Sequence, residues 1–218
     1  MEIKANYSPY KLQFKETKFP NEEWSYIAPT WEDMGKVYLN LGAAIIGHNG
    51  RFETLVTLAK GGWTWSRTMA DILQIEELAS FKVTLYDPSE PGKKLDHPVL
   101  EVPLSIPLLG KRVLLFDDVD DTGETMEFAG EYLTFYGPSS ITTATLFHKP
   151  HSKFKPDFYG VETSAWIIFP HEKREGIVGL ARKWIKEGLQ VQEVKERLIT
   201  IGLPIKEIDF FMELEGMR

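Results

Sequence analysis

The sequence of 218 residues contains no cysteine. A disulfide framework, a thiolate nucleophile and a cysteine-bound zinc ion are therefore excluded, and a secreted disulfide scaffold loses its main support. Residues 1–18 also lack the uninterrupted apolar stretch that a signal peptide or a membrane span needs. We expect a cytoplasmic protein without a membrane partner.

Positive charge is also scarce. The chain has 25 Lys and Arg residues against 32 Asp and Glu residues, which gives a formal net charge of −7. Affinity for nucleic acids comes largely from Lys and Arg side chains that neutralise phosphates, so we expect no nucleic-acid partner. Any anionic ligand must instead meet donors that are arranged locally.

Segments with strand and helix patterns alternate along most of the chain. Helices are predicted at 31–46, 67–73 and 122–136, strands at 54–59, 81–86, 112–116 and 141–147, and a further apolar run at 164–169. Such alternation favours an α/β fold, with a mostly parallel sheet covered by helices on both faces. Ligands are then expected at the carboxyl ends of the strands.

Three segments depart from this alternation. Residues 87–110 contain five prolines and mixed charges, which predicts a long loop that serves as a lid. Residues 176–218 have the amphipathic pattern of three helices and form an expected C-terminal helical extension. This extension could pack on the core, mediate dimerisation or form a separate module. Residues 1–27 are an N-terminal segment of uncertain role, which leaves 28–175 as the expected core.

The segment from Val113 to Thr125 is an apolar strand that leads into an acidic cluster and then a Thr/Gly turn. Main-chain N–H groups at a helix N-terminus, with nearby threonine hydroxyls, can hold a phosphate without basic side chains. Asp117 and Asp118 would repel that phosphate unless they accept hydrogen bonds from ribose hydroxyls or meet a magnesium ion. One ligand with a phosphate, a diol and a metal fits this pattern. The alternative is an ordinary solvated turn at the start of a helix.

The same thirteen residues closely resemble the phosphoribosyl-pyrophosphate signature of type I phosphoribosyltransferases. Asp120 stands where the family more often has an aliphatic residue, although some fungal-type purine enzymes have Asp there. The segment Ala59-Lys60-Gly61-Gly62 resembles the family's pyrophosphate-binding loop, in which the peptide bond before the basic residue is often cis. The resemblance implies the following donor-binding residues: Lys60, Gly61, Gly62, Asp117, Asp118, Asp120, Asp121, Thr122, Gly123, Glu124 and Thr125.

A second resemblance concerns base recognition. Lys149-Pro150 and the later segment that begins Trp166-Ile167 are similar to the purine-recognition region of xanthine-guanine and hypoxanthine-guanine phosphoribosyltransferases. The resemblance implies that Lys149 donates to the 6-oxo group of the base, that Trp166 stacks on the purine and that the backbone of Ile167 contacts its edge. The alternatives are an exposed loop lysine at 149 and a core or interface aromatic at 166.

The resemblance thus implies a purine phosphoribosyltransferase that makes a nucleoside 5′-monophosphate and pyrophosphate from a 6-oxopurine and phosphoribosyl pyrophosphate. Asp121 and Lys60 are the expected catalytic residues, as general base and as holder of the leaving pyrophosphate. Mg²⁺ is the expected cofactor, with Asp117, Asp118 and Glu172 at the metal. We expect a homodimer or a higher homo-oligomer.

Two alternatives stay open at this point. The enzyme could act on another base, such as adenine or orotate, or the chain could be a non-catalytic protein that senses phosphoribosyl pyrophosphate. The pattern does not choose among guanine, xanthine and hypoxanthine.

Overall fold

The computed structural model describes residues 7–48, 50–86 and 94–217. The strands in these ranges are β1 (Thr17–Lys18), β2 (Ser25–Ile27), β3 (Thr54–Ala59), β4 (Glu77–Tyr86), β5 (Lys94–Val102), β6 (Arg112–Asp120), β7 (Ser140–His148), β8 (Phe158–Glu162) and β9 (Trp166–Ile167). The helices are α1 (Trp31–Gly47), α2 (Trp63–Ile72), α3 (Glu124–Thr134), α4 (Lys173–Lys186), α5 (Val191–Ile201) and α6 (Ile205–Leu214). None of the helices in these ranges has the length and apolar character needed to cross a membrane.

The main sheet has six strands in the order β5-β4-β3-β6-β7-β8. All neighbours are parallel except β5, which pairs antiparallel with β4. On one face, Met126 and Leu133 of α3 share a core with Val56 and Val113 of the central strands. The expected α/β fold with a mostly parallel sheet is confirmed.

Several element boundaries differ from the sequence-based expectation. Strand β6 continues to Asp120 rather than ending at Phe116, because its ladder with β7 runs as far as the Asp120–His148 pair. The aspartates at 117, 118 and 120 therefore lie within the strand. Helix α2 begins at Trp63, four residues before the expected start. The apolar run at 164–169 supplies only the two-residue strand β9, which pairs with β2 in a separate three-stranded sheet.

The expected loop at 87–110 is also partly regular. Residues Lys94–Val102 form strand β5, and residues 87–93 lie outside the described ranges. The strand includes Pro98, which is tolerated because β5 is the edge strand of its sheet. The role of this region as a lid stays a prediction.

The chain forms two compact units. The first comprises residues 7–10 and Lys36–Thr163, and the second comprises Lys11–Gly35 and residues 164–217. The domain boundaries expected at 27/28 and 175/176 stay a prediction. Residues 164–175 belong with the C-terminal helices, and much of the N-terminal segment belongs to the same unit because β2 pairs with β9.

One buried carboxylate joins the N-terminal segment to the helices within the second unit. The Glu22 side chain, 3% exposed, accepts hydrogen bonds from Tyr26 Oη at 2.7 Å, from Lys183 Nζ at 2.6 Å and from Trp184 Nε1. Arg197 Nη1 lies 3.6 Å from the same carboxylate. Burial alone would raise the pKa of Glu22, but the hydrogen bonds from Lys183, Tyr26 and Trp184 together hold it below its ordinary value of 4.5.

Replacement of Glu22 with Gln should lower the free energy of unfolding at pH 7 by about 1–3 kcal/mol, since a charged acceptor with several donors is lost. Because the folded pKa is depressed, the contribution of Glu22 is fully present above the unfolded pKa and is lost as pH falls through the lower folded value. Denaturant unfolding of wild type and Glu22→Gln at pH 7 and at acid pH should show the difference shrinking with acidity. Glu23→Gln, at the exposed neighbouring position, should stay within about 0.5 kcal/mol of wild type. A difference that grows with acidity would contradict this account.

Candidate active site

Three loops meet at one edge of the main sheet. Strand β6 pairs in parallel with β3 on one side and with β7 on the other, so the carboxyl ends of these three strands are adjacent. Lys60 follows β3, Asp121 follows β6 and Lys149 follows β7. Most residues of the first unit that were predicted from the sequence to be functional therefore lie along this edge.

Two neighbouring carboxylates are buried at the end of β6. Asp117 is 9% exposed and Asp118 is 7% exposed. The Asp118 N–H donates to Asp117 Oδ1 at 3.0 Å, and the Val119 N–H donates to Asp118 Oδ1 at 2.8 Å. Burial raises the pKa of both carboxyls, and the neighbouring charge of Asp118 raises the pKa of Asp117 further. Such a pair is stabilised in its ionised form by a nearby cation or by hydroxyl donors.

The glycine loop after β3 packs directly against this pair. A Cβ atom at Gly61 would lie 2.6 Å from Asp118 Oδ2, and one at Gly62 would lie 2.2 Å from Thr57 Oγ1 and 3.0 Å from Asp117 Oδ1. Only glycine leaves room for the main chain to approach the carboxylates this closely. The Ala59–Lys60 peptide bond is cis, as the resemblance led us to expect.

The turn between β6 and α3 encloses a cavity of about 200 Å³. Gly123 caps α3 in the left-handed conformation, with φ of 89°, and Glu124 is the first residue of the helix. The cavity lining includes these selected residues: Asp117, Asp118, Asp120, Asp121, Thr122, Gly123 and Thr125. The structure thus combines a helix N-terminus, which favours anions, with two threonines and the buried carboxylates around one small cavity.

The side chains of Asp121 and Lys149 differ in exposure. The Asp121 side chain is 55% exposed, and His151 Nε2 lies 3.1 Å from its Oδ1. Lys149 is only 7% exposed, so it is not the exposed loop lysine of the alternative interpretation. Burial lowers the pKa of Lys149, and the Asp121 carboxylate opposes this effect. A partly desolvated ammonium is a strong hydrogen-bond donor to a carbonyl oxygen.

Two histidines near this edge were not predicted from the sequence to be functional. His148 Nδ1 lies 2.8 Å from Oδ2 of Asp120, which is 1% exposed, and His151 contacts Asp121. Asp120 therefore has a protein partner. The histidines are near neighbours of Lys149 in the sequence, but only the register between β6 and β7 shows which aspartate each one meets.

The remaining residues that were predicted to bind the base or the metal lie in the second unit. Trp166 and Ile167 form β9, and Glu172 is the N-cap residue of α4. These three residues line a cavity of about 410 Å³, together with Trp24 of the N-terminal segment. Trp166 is 52% exposed, so it is not a core aromatic. Trp24 was not selected from the sequence, because it lies 142 positions before Trp166.

Comparison with known proteins agrees with this geometry. The family described as the phosphoribosyl transferase domain matches residues 36–174. The crystal structure of a purine phosphoribosyltransferase from Pyrococcus horikoshii Ot3 is 30% identical, covers 67% of this chain and 94% of its own, and superposes with a TM-score of 0.59. The chain belongs to the phosphoribosyltransferase family.

Two curated relatives are similar to this phosphoribosyltransferase. The xanthine-guanine phosphoribosyltransferase of Gluconobacter oxydans (strain 621H) is 26% identical over 147 residues, which cover 66% of this chain and 83% of the relative. The bifunctional protein PyrR of Synechocystis sp. (strain ATCC 27184 / PCC 6803 / Kazusa) is 34% identical over 142 residues, which cover 59% of this chain and 78% of the relative. The chain is thus a phosphoribosyl-transferring enzyme.

The protein ligands available for a metal are few in this phosphoribosyltransferase. Among residues 7–48, 50–86 and 94–217, no three His, Asp or Glu side chains are grouped closely enough to hold a metal ion. Asp117 and Asp118 could supply at most part of the six oxygen ligands that Mg²⁺ requires. The residues fit a magnesium ion whose other ligands are water and oxygens of the ribosyl donor.

Replacement of Gly62 with Ala should lower the free energy of unfolding by about 1–3 kcal/mol, because the added methyl group overlaps Thr57 Oγ1. The backbone of Gly62, with φ of −67°, suits alanine, so the effect is steric. Gly130→Ala in α3 is the matched control, since a Cβ atom there meets nothing within 4 Å. It should stabilise the protein by about 0.5–1 kcal/mol. Equal effects of the two substitutions in denaturant unfolding would contradict the packing described for this loop.

Proposed function

We propose that this phosphoribosyltransferase joins a 6-oxopurine to phosphoribosyl pyrophosphate, with release of pyrophosphate and formation of a nucleoside 5′-monophosphate. The observation that carries the proposal is the buried Lys149 ammonium at the end of β7, one strand away from the donor-binding signature. Lysine has donors and no acceptor, so it favours the carbonyl oxygen of a 6-oxopurine over the amino group of adenine. The name of the Gluconobacter relative supports a 6-oxopurine, and the name of the Pyrococcus protein supports a purine.

The donor is proposed to bind along the edge formed by β3 and β6. The turn at 122–125 holds the 5′-phosphate through main-chain N–H groups and the hydroxyls of Thr122 and Thr125. Asp117 and Asp118 accept hydrogen bonds from the ribose hydroxyls, and Lys60 holds the leaving pyrophosphate with the N–H groups of the glycine loop.

Magnesium is proposed to enter with the donor. Asp117 and Asp118 are the residues that would hold it, directly or through water. When bound, the ion supplies positive charge that stabilises the departing pyrophosphate. Its charge also favours the ionised state of the two buried carboxylates.

The purine is proposed to interact through one face and one edge. Trp166 offers an exposed indole for stacking, and the backbone of Ile167 contacts the edge of the base. The 410 Å³ volume of the cavity that these residues line lies within the range of small-molecule sites. Trp24 lines the same cavity, so the N-terminal segment is proposed to take part in base binding.

Catalysis is proposed to rest on orientation and charge placement. The chain holds donor and base so that the base nitrogen faces the anomeric carbon as the bond to pyrophosphate breaks. Asp121, which lines the smaller cavity and has a half-exposed side chain, accepts the proton from the imidazole side of the purine.

Replacement of Asp121 with Asn should lower kcat by about 100-fold or more, because a general base contributes a factor of that order. The dissociation constant for the magnesium-bound donor should change far less, since Asn keeps the shape of the side chain. Steady-state kinetics and isothermal titration calorimetry measure the two quantities. Asp71→Asn, at a 73% exposed side chain on α2, is the control. Parallel loss of turnover and donor affinity would contradict the role of Asp121 as base.

The base specificity is tested by incubating the protein with Mg²⁺, phosphoribosyl pyrophosphate and each of guanine, xanthine, hypoxanthine, adenine and orotate. Nucleotide should form with at least one 6-oxopurine and not with adenine or orotate. Lys149→Met should lower kcat/KM for that base by about 10- to 100-fold, the value of a hydrogen bond from a charged donor. Lys155→Met changes an exposed lysine of the same loop and should have no comparable effect. Faster turnover of adenine or orotate would overturn the assignment.

A further inference from the structure

The pair formed by Asp120 and His148 is almost completely removed from solvent. Asp120 is 1% exposed and His148 is 6% exposed, and His148 Nδ1 lies 2.8 Å from Asp120 Oδ2. When the Asp120 carboxyl is ionised it only accepts hydrogen bonds, and Nδ1 of His148 is then the donor. The imidazole also packs against the ring of Tyr159, at 4.9 Å between centroids.

The pair lies at the point where two functional loops begin. Asp120 and His148 are the last register partners of β6 and β7, and the next residues are Asp121 and Lys149. The Lys149 N–H donates to the Asp120 carbonyl oxygen at 2.9 Å. A side-chain bond and a main-chain bond therefore join the two strands immediately before the proposed general base and the proposed base-recognising lysine.

The loops beyond the pair are packed together. The Lys153 N–H donates to the Thr122 carbonyl oxygen at 3.3 Å, and His151 Nε2 lies 3.1 Å from Asp121 Oδ1. A Cβ atom at Gly123 would lie 2.6 Å from the main-chain nitrogen of Phe154. A displacement where the loops begin would therefore be transmitted to both of them.

We propose that Asp120 and His148 are positioning residues, which set the distance between Asp121 and Lys149 through their buried hydrogen bond. This inference rests on the function proposed above for those two residues. It goes beyond the expectation that Asp120 contacts the donor, because it assigns the side chain to a protein partner. Substitutions in this pair should then change turnover and the affinity for the base, and leave the affinity for the ribosyl donor unchanged.

The test compares two amide replacements of the same histidine. His148→Asn places an amide nitrogen near the position of Nδ1 and can keep the bond to Asp120, whereas His148→Gln places it near Nε2 and loses that bond. Both remove the ring and its contact with Tyr159. For the accepted 6-oxopurine, the Gln variant should lose about 10- to 100-fold in kcat/KM, the effect of misplacing reactive groups by about 1 Å. The Asn variant should retain several times more activity, and both should bind the magnesium-bound donor within about twofold of wild type in calorimetry.

His48→Gln, at an exposed histidine after α1, is the matched control and should leave kinetics unchanged. Equal losses in the Asn and Gln variants, or a loss of donor affinity that parallels the loss of turnover, would overturn the inference.

If the Gln variant does not fold, as judged by its circular dichroism, Asp120→Leu/His148→Phe replaces the pair with apolar residues, which often preserves stability. A folded double variant with wild-type kcat/KM would also overturn the inference, and reduced kcat/KM with normal donor affinity would support it. A wild-type protein that makes no nucleotide from any base would instead refute the proposed function itself.

Discussion

The site depends on the parallel register of β6 between β3 and β7. That register brings the glycine loop, the acidic strand end and Lys149 to one edge of the sheet. A shift of β6 by one residue would move the side chains of Asp117 and Asp118 each to the other face of the sheet, away from their present contacts with Gly62 and Gly61. The fold therefore fixes the chemistry through main-chain hydrogen bonds that do not depend on the functional side chains themselves.

Electrostatics then narrows the kind of ligand that the edge can accept. Asp117 and Asp118 are buried next to one another, and burial raises the pKa of both carboxyls. A bare phosphate near them would be repelled, whereas a ligand that brings hydroxyl groups and a divalent cation offsets their charge. The phosphate of such a ligand can be bound by main-chain amides at the start of α3, so an acidic chain needs no broad basic surface.

The second unit shows how a family fold is extended in this chain. The family match covers residues 36–174, yet the second unit combines Lys11–Gly35 with residues 164–217. Glu22 holds these separate segments together through its bonds to Tyr26, Lys183 and Trp184. The N-terminal segment has no clear pattern of its own because several of its contacts are distant in the chain: β2 pairs with β9, and Glu22 binds Lys183 and Trp184.

The sequence by itself determined the α/β fold and the family, and it located the segments that we propose to carry the chemistry. It could do so because strand and helix periodicity and a contiguous phosphate-binding signature are local properties. Only the tertiary structure decided that β6 continues through the aspartates, that Asp120 meets His148, and that Trp24 shares a cavity with Trp166. These features arise from pairing and packing between residues far apart in the chain, and hydrophobic pattern specifies that a strand is buried but not which side chain it will meet.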